Sequence, residues 1–168
     1  MSETQPQKEI IYVFIDSQNL NLSIRDQGWK LDFAKFRRYL ADKFKVQKAF
    51  FFIGFIKEYK PLYEHLRGIG YHVIFKPTLR LPDKKAKGNV DAELVLHSMI
   101  EYDNYSKAII ISGDGDFYCL VKYLQQKNKL LKLIIPDKNK FSSLLREFRT
   151  YMVYMNDLKQ KLELKKRE

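Results

Sequence analysis

Two carboxylates on one short turn, Asp114 and Asp116 within Ser112-Gly113-Asp114-Gly115-Asp116, are the residues best suited to chemistry in this chain. They follow an apolar, β-branched run, Ala108-Ile109-Ile110-Ile111, and precede an apolar-periodic stretch that begins at Phe117. A strand, a turn and a helix are expected in that order. The turn then lies at the carboxyl end of a buried strand, where open α/β sheets bind ligands. Paired carboxylates there repel unless a proton or a cation intervenes, and an oxygen-only donor set suits Mg²⁺ or Mn²⁺.

Asp16 ends a second apolar run, Ile10 to Ile15, and Asp91 follows Gly88-Asn89-Val90 at the start of a helical pattern. If the strands before Asp16 and Asp114 are neighbours, their ends flank a switch point of the sheet. Asp91 is either a first-turn helix acid or a further wall of the same pocket. Asn19 either orients an acid or, with Asn21, serves a turn. Four clustered acids in a low-dielectric cleft call for a divalent cation. Such a centre lowers the pKa of bound water and stabilises charge on a phosphate.

The elements that must position these residues alternate. Strands are expected at Ile10–Ile15, Lys48–Phe55, Tyr71–Phe75, Ala108–Ile111 and Leu130–Ile135, with a short last one at Tyr151–Met155. Helices are expected over Asp32–Lys43, Pro61–Arg67, Val90–Tyr102, from Phe117, and over Ser142–Phe148. This alternation predicts a three-layer α/β/α domain with a mostly parallel sheet. Residues 1–9 read as a disordered tail, 10–155 as the domain and 156–168 as a charged helical tail.

The 168 residues suit one domain, and 45% hydrophobic residues with 11 Tyr, 12 Phe and 1 Trp can fill its core. Lys and Arg outnumber Asp and Glu by 31 to 20, a net charge of +11, which favours nucleic acid as partner. Arg80, Lys84, Lys85 and Lys87 concentrate in a polar stretch just before Asp91; such a loop is either plainly solvated or a contact for a phosphate backbone. The single Cys119 excludes a disulfide framework and a multi-Cys zinc site, and is expected as a buried core thiol. His65, His72 and His97 lack ligand spacing. No phosphate loop, nucleophile elbow or zinc helix is present. Without an apolar leader or membrane-length run, a cytoplasmic protein is the expectation.

The stretches Phe14-Ile15-Asp16-Ser17-Gln18-Asn19-Leu20, Lys87-Gly88-Asn89-Val90-Asp91 and Ile111-Ser112-Gly113-Asp114-Gly115-Asp116-Phe117 resemble the NYN domain, a branch of the PIN-like nucleases, and within it the LabA-like (DUF88) group. The match covers most of Ile10 to Ile135. The resemblance implies a PIN-like three-layer fold, a Mg²⁺ or Mn²⁺ centre and RNA cleavage. It implies Asp16, Asp91, Asp114 and Asp116 as metal-centre residues, with Asn19 and Ser112 in support. Ser17 departs from the Gly usual after the first Asp; its side chain would narrow the pocket or bind a phosphate oxygen. PIN-like domains often pair, so a homodimer is allowed by analogy.

The leading functional expectation is therefore a metal-dependent ribonuclease. The alternative is a non-catalytic RNA-binding or scaffold module on the same fold, for which clustered carboxylates have no use. A haloacid-dehalogenase-type phosphatase would need an acid where Gln18 stands, and a phospho-receiver would need one at Phe75-Lys76-Pro77.

Overall fold

The computed structural model describes residues 8–78 and 89–165. The elements are β1 (Ile11–Asp16), α1 (Ser17–Asp26), α2 (Phe33–Phe44), β2 (Val46–Gly54), α3 (Lys60–Gly68), β3 (Tyr71–Lys76), α4 (Asp91–Ile100), β4 (Lys107–Ile111), α5 (Tyr118–Gln126), β5 (Leu130–Ile135), β6 (Met152–Tyr154) and the single-turn α6 (Lys159–Leu162). The six strands form one sheet in the order β3-β2-β1-β4-β5-β6, and every pairing is parallel. β1 lies between β2 and β4, so the chain leaves β1 toward one edge and returns beside it toward the other. The switch point falls where Asp16 and the Ser112–Asp116 turn emerge.

The central strands are apolar over most of their length because both faces are covered. Alternate residues feed two separate cores. Val13, Ile15, Ala49, Phe51, Ile109 and Ile111 pack under α1, α2 and α3 through Leu20, Ile24, Phe36, Leu40 and Leu66. Tyr12, Phe14, Phe50, Phe52, Ala108 and Ile110 pack under α4 and α5 through Leu94, Leu120, Val121 and Leu124. Phe14 is fully buried and stacks on Phe50 at 5.3 Å with 7° between the rings. This is the expected three-layer arrangement.

Several local expectations need correction. Asn19 and Asn21 lie in α1, not in a turn. Asp16 caps that helix by accepting from the Asn19 amide at 3.3 Å, while Leu20 and Ile24 bury its inner face; tertiary burial outweighs the turn preference of Asn. β2 begins at Val46, earlier than expected, because Val46 is buried opposite Ile11. α4 stops at Ile100 and a separate tight turn, Tyr102–Asn104, follows. Ser143–Tyr151 is a 3₁₀ segment with a break at Phe148, not an α-helix. Cys119 is exposed and not a core thiol, since α5 turns Leu120, Val121 and Leu124 inward instead. In the stretch after 155, only Lys159–Leu162 is α-helical. Leu162 is buried, its carbonyl accepts from the Asp32 amide at 2.8 Å, and the Leu164 amide donates to Lys30. Arg80, Lys84, Lys85 and Lys87 lie outside the described residues.

Candidate metal centre

Each acid reaches the centre through a local device. Asp16 is the last residue of β1 and the cap of α1, 4% exposed. One of its oxygens takes the Asn19 amide; the other accepts the Ser112 hydroxyl at 3.0 Å. That hydroxyl also accepts the Asp114 amide at 3.0 Å, and Asp114 accepts the Asp116 amide at 2.9 Å. The Asn19 side-chain oxygen takes the Gly113 amide at 2.8 Å, fastening α1 to the turn after β4. Asp91 opens α4, its amide held by the Asn89 side chain at 2.9 Å, while Val90 and Leu94 anchor the helix in the core.

The result is convergence. Carboxylate oxygens of Asp16, Asp91 and Asp114 all lie within 4.8 Å of one another. Asp116 is the exposed member: it is not one of the three, but it sits close enough to Asp91 to raise that residue's pKa. Ser112 and Asn19 act on the acids and the turn as supporting groups. Ser17, buried at the first position of α1, lines a neighbouring cleft.

The electrostatics follow from this crowding. Burial raises the Asp16 carboxyl above its ordinary range, opposed by the Asn19 amide and the Ser112 hydroxyl and reinforced by Asp114. Asp91 is pushed up to about 7, first by burial, then by the neighbouring carboxyl of Asp116 and the charges of Asp114 and Asp16. Its Oδ2 is buried with no hydrogen-bond partner among the described residues. An all-oxygen donor set, mutual repulsion and an orphaned acceptor together fit a hard divalent cation. Metal–oxygen bonds of about 2.1 Å place opposite ligands roughly 4.2 Å apart, so small side-chain adjustments suffice.

Two further acids stand out in the structure but not in the sequence. Asp137, 5% exposed after β5, accepts from the Asn139 amide at 3.0 Å and the Asn156 side chain at 3.2 Å, which accounts for it as a loop clamp. Glu93, in the first turn of α4, has a buried Oε2 without a hydrogen-bond partner among the described residues. Its signal was an acid two residues after Asp91, but it is not part of the converging set.

Comparison with known proteins agrees with this fold. The NYN domain family matches residues 10–156. The chain is 22% identical over 161 residues to the low amplitude and bright protein LabA of Synechococcus elongatus, covering 90% of this chain and 86% of that one. Its fold is similar to that of a crystal structure of a protein of unknown function from Vibrio parahaemolyticus, with a TM-score of 0.79, 26% identity, and coverage of 96% and 99% of the two chains. With a doubly wound parallel sheet and three acids gathered at its switch point, the chain belongs to the NYN domain family of PIN-like nucleases and is LabA-like within it.

Proposed function

We propose that this protein is a metal-dependent ribonuclease that hydrolyses RNA phosphodiester bonds. The observation that carries the reading is the convergence of Asp16, Asp91 and Asp114 within 4.8 Å at the carboxyl edge of the sheet, in a chain of net charge +11. A polyanion is drawn to the surface as a whole, whereas the acids create a local need for a cation. Asp16, Asp91 and Asp114 would hold Mg²⁺ or Mn²⁺, with Asp116 beside them. When bound, the ion supplies an activated water and charge neutralisation at the phosphate.

The chain's own residues prepare this. Ser112 and the Asn19 amide fix the Asp16 carboxylate, and Asn19 fixes the turn that carries Asp114, so the acids need little reorganisation. Asp91, with its carboxyl raised to about 7, is able to hold or release a proton near neutrality. Ser17, the residue after Asp16, would narrow the pocket or meet a phosphate oxygen. Arg80, Lys84, Lys85 and Lys87 would hold the RNA backbone.

The test is cleavage of single-stranded and structured RNA. The wild type should cut with Mn²⁺ or Mg²⁺ and stop with EDTA. Asp16→Asn and Asp114→Asn should each lose most of the activity yet still bind RNA. Binding by pure wild type without metal-dependent cleavage would leave the scaffold reading in its place.

A further inference from the structure

The acidic centre does not stand alone at its edge of the sheet. A cleft of about 380 Å³ begins at Ser17 and Gln18, the residues directly after Asp16, and runs between α1 and α3. Its inner wall is apolar, from half-buried Ile53 and Leu62, with exposed Leu22 at the mouth, and its floor is fixed. The Tyr63 hydroxyl accepts the Ile56 amide at 2.9 Å and donates to the Gly54 carbonyl at 3.1 Å. Tyr59 stands at the rim, 53% exposed, an aromatic face open to a stacking partner. The side-chain amides of Gln18 and Asn21 line the same cleft and make no hydrogen bond among the described residues. At Asn21 it meets a second cleft of about 420 Å³ that carries Arg25, Lys30 and His65.

We infer that the cleft between α1 and α3 is a nucleobase subsite, and that the RNA strand leaves the acidic centre along it toward Arg25 and Lys30. The inference rests on the ribonuclease reading for the identity of the strand. The chemistry favours a base over other occupants. Single-stranded RNA is recognised by stacking on aromatic rings and by hydrogen bonds to base edges. Tyr59 offers the ring. Gln18 and Asn21 each offer a donor and an acceptor, as a base edge requires. Exposed Lys57 and Lys60 lie near Tyr59, with Glu58 between Lys57 and the ring, and would supply cations for the adjoining phosphates. The volume lies at the small end of ligand pockets, which run from about 300 to 1,000 Å³, with room for one base and its sugar. Helical spacing keeps the track continuous: Gln18, Asn21 or Leu22, and Arg25 succeed one another on one face of α1.

Binding of fluorescent octaribonucleotides in EDTA, with an abasic site moved through the strand one position at a time, tests this without cleavage. In the wild type, one position should cost about tenfold in affinity, the scale of a single base–aromatic stack. Tyr59→Ala should bind intact RNA about tenfold more weakly and lose that positional sensitivity. Tyr59→Phe should keep both, and Gln18→Ala should weaken binding of the preferred homopolymer among U, C and A, levelling the preference among them. Tyr59→Ala melting like the wild type would assign these changes to the cleft. Equal affinity of Tyr59→Ala and wild type, sensitivity spread evenly over all positions, or no RNA binding overturns the subsite. Loss of metal-dependent cleavage with an intact abasic profile would count against the hydrolytic reading alone; cleavage without any abasic profile would count against the cleft alone.

Discussion

Asp91 is where the charge conflict of the centre concentrates. Its carboxyl is raised from 3.8 to about 7, so without metal the folded protein keeps a proton there that the unfolded chain has lost. A raised folded pKa contributes stability fully present below about pH 4 and lost as pH rises through about 7. In EDTA, the melting temperature of Asp91→Asn should therefore gain on the wild type between pH 4 and pH 7. A difference that stays constant across that range contradicts the account. Ser112 makes the opposite contribution. Its hydroxyl donates to Asp16 and accepts from the Asp114 amide, both in a protected place. Ser112→Ala leaves both groups short of a partner and should cost about 1–3 kcal/mol in denaturant unfolding. It should also lower metal affinity, because two ligating side chains lose their alignment.

The turn between β4 and α5 shows how an element imposes a residue. Gly115 is there for space: its φ is not positive, but an added Cβ would meet the Ser142 hydroxyl, with Ser142 Cβ at 3.0 Å and Leu144 Cδ1 at 3.2 Å. The segment before the 3₁₀ helix packs on the turn, and the Ser142 amide donates to the Gly113 carbonyl at 3.0 Å. Gly115→Ala should push Asp114 and Asp116 out of register, with an overpacking cost of about 1–3 kcal/mol and a larger loss of metal-dependent activity. Combining it with Ser142→Gly removes the nearest obstacle, so isothermal titration with Mn²⁺ should show metal affinity partly restored. No recovery in the double variant would place the fault elsewhere in the turn.

At the scale of the whole molecule, binding and folding are linked. A cation that binds only the folded acids adds about 2.7 kcal/mol at 100 times its Kd, so Mn²⁺ should raise the melting temperature and Asp114→Asn should abolish the rise. A wild type that melts identically in Mn²⁺ and EDTA would count against the centre. The net charge of +11 acts over longer range. Reversing Lys84, Lys85 and Lys87 to Glu should weaken RNA binding and flatten its salt dependence, by about 0.7 in log–log slope for each single-strand phosphate that is no longer neutralised. An unchanged slope would assign those lysines to solvation.

The apolar runs and their alternation with helices were enough to indicate a three-layer domain with a mostly parallel sheet, because strands buried on both faces are written in near-continuous Ile, Val and Phe. The Ser112–Asp116 turn was equally legible, since carboxylates beside glycines after such a strand have few other uses. Tertiary structure alone decided which acids meet. Asp16 and Asp114 come together because β1 pairs with β4 across 90 and more residues of chain. Asp91 joins them through the anchoring of Val90 and Leu94 in the core, while Asp116, equally acidic in sequence, remains exposed. The same holds for α1, where burial of Leu20 and Ile24 made a helix of residues whose local preference is a turn, and for Cys119, which one step of helical phase moved from core to solvent. Periodicity specifies which face of an element is apolar; only the packing of all elements together fixes which polar groups are left to face one another.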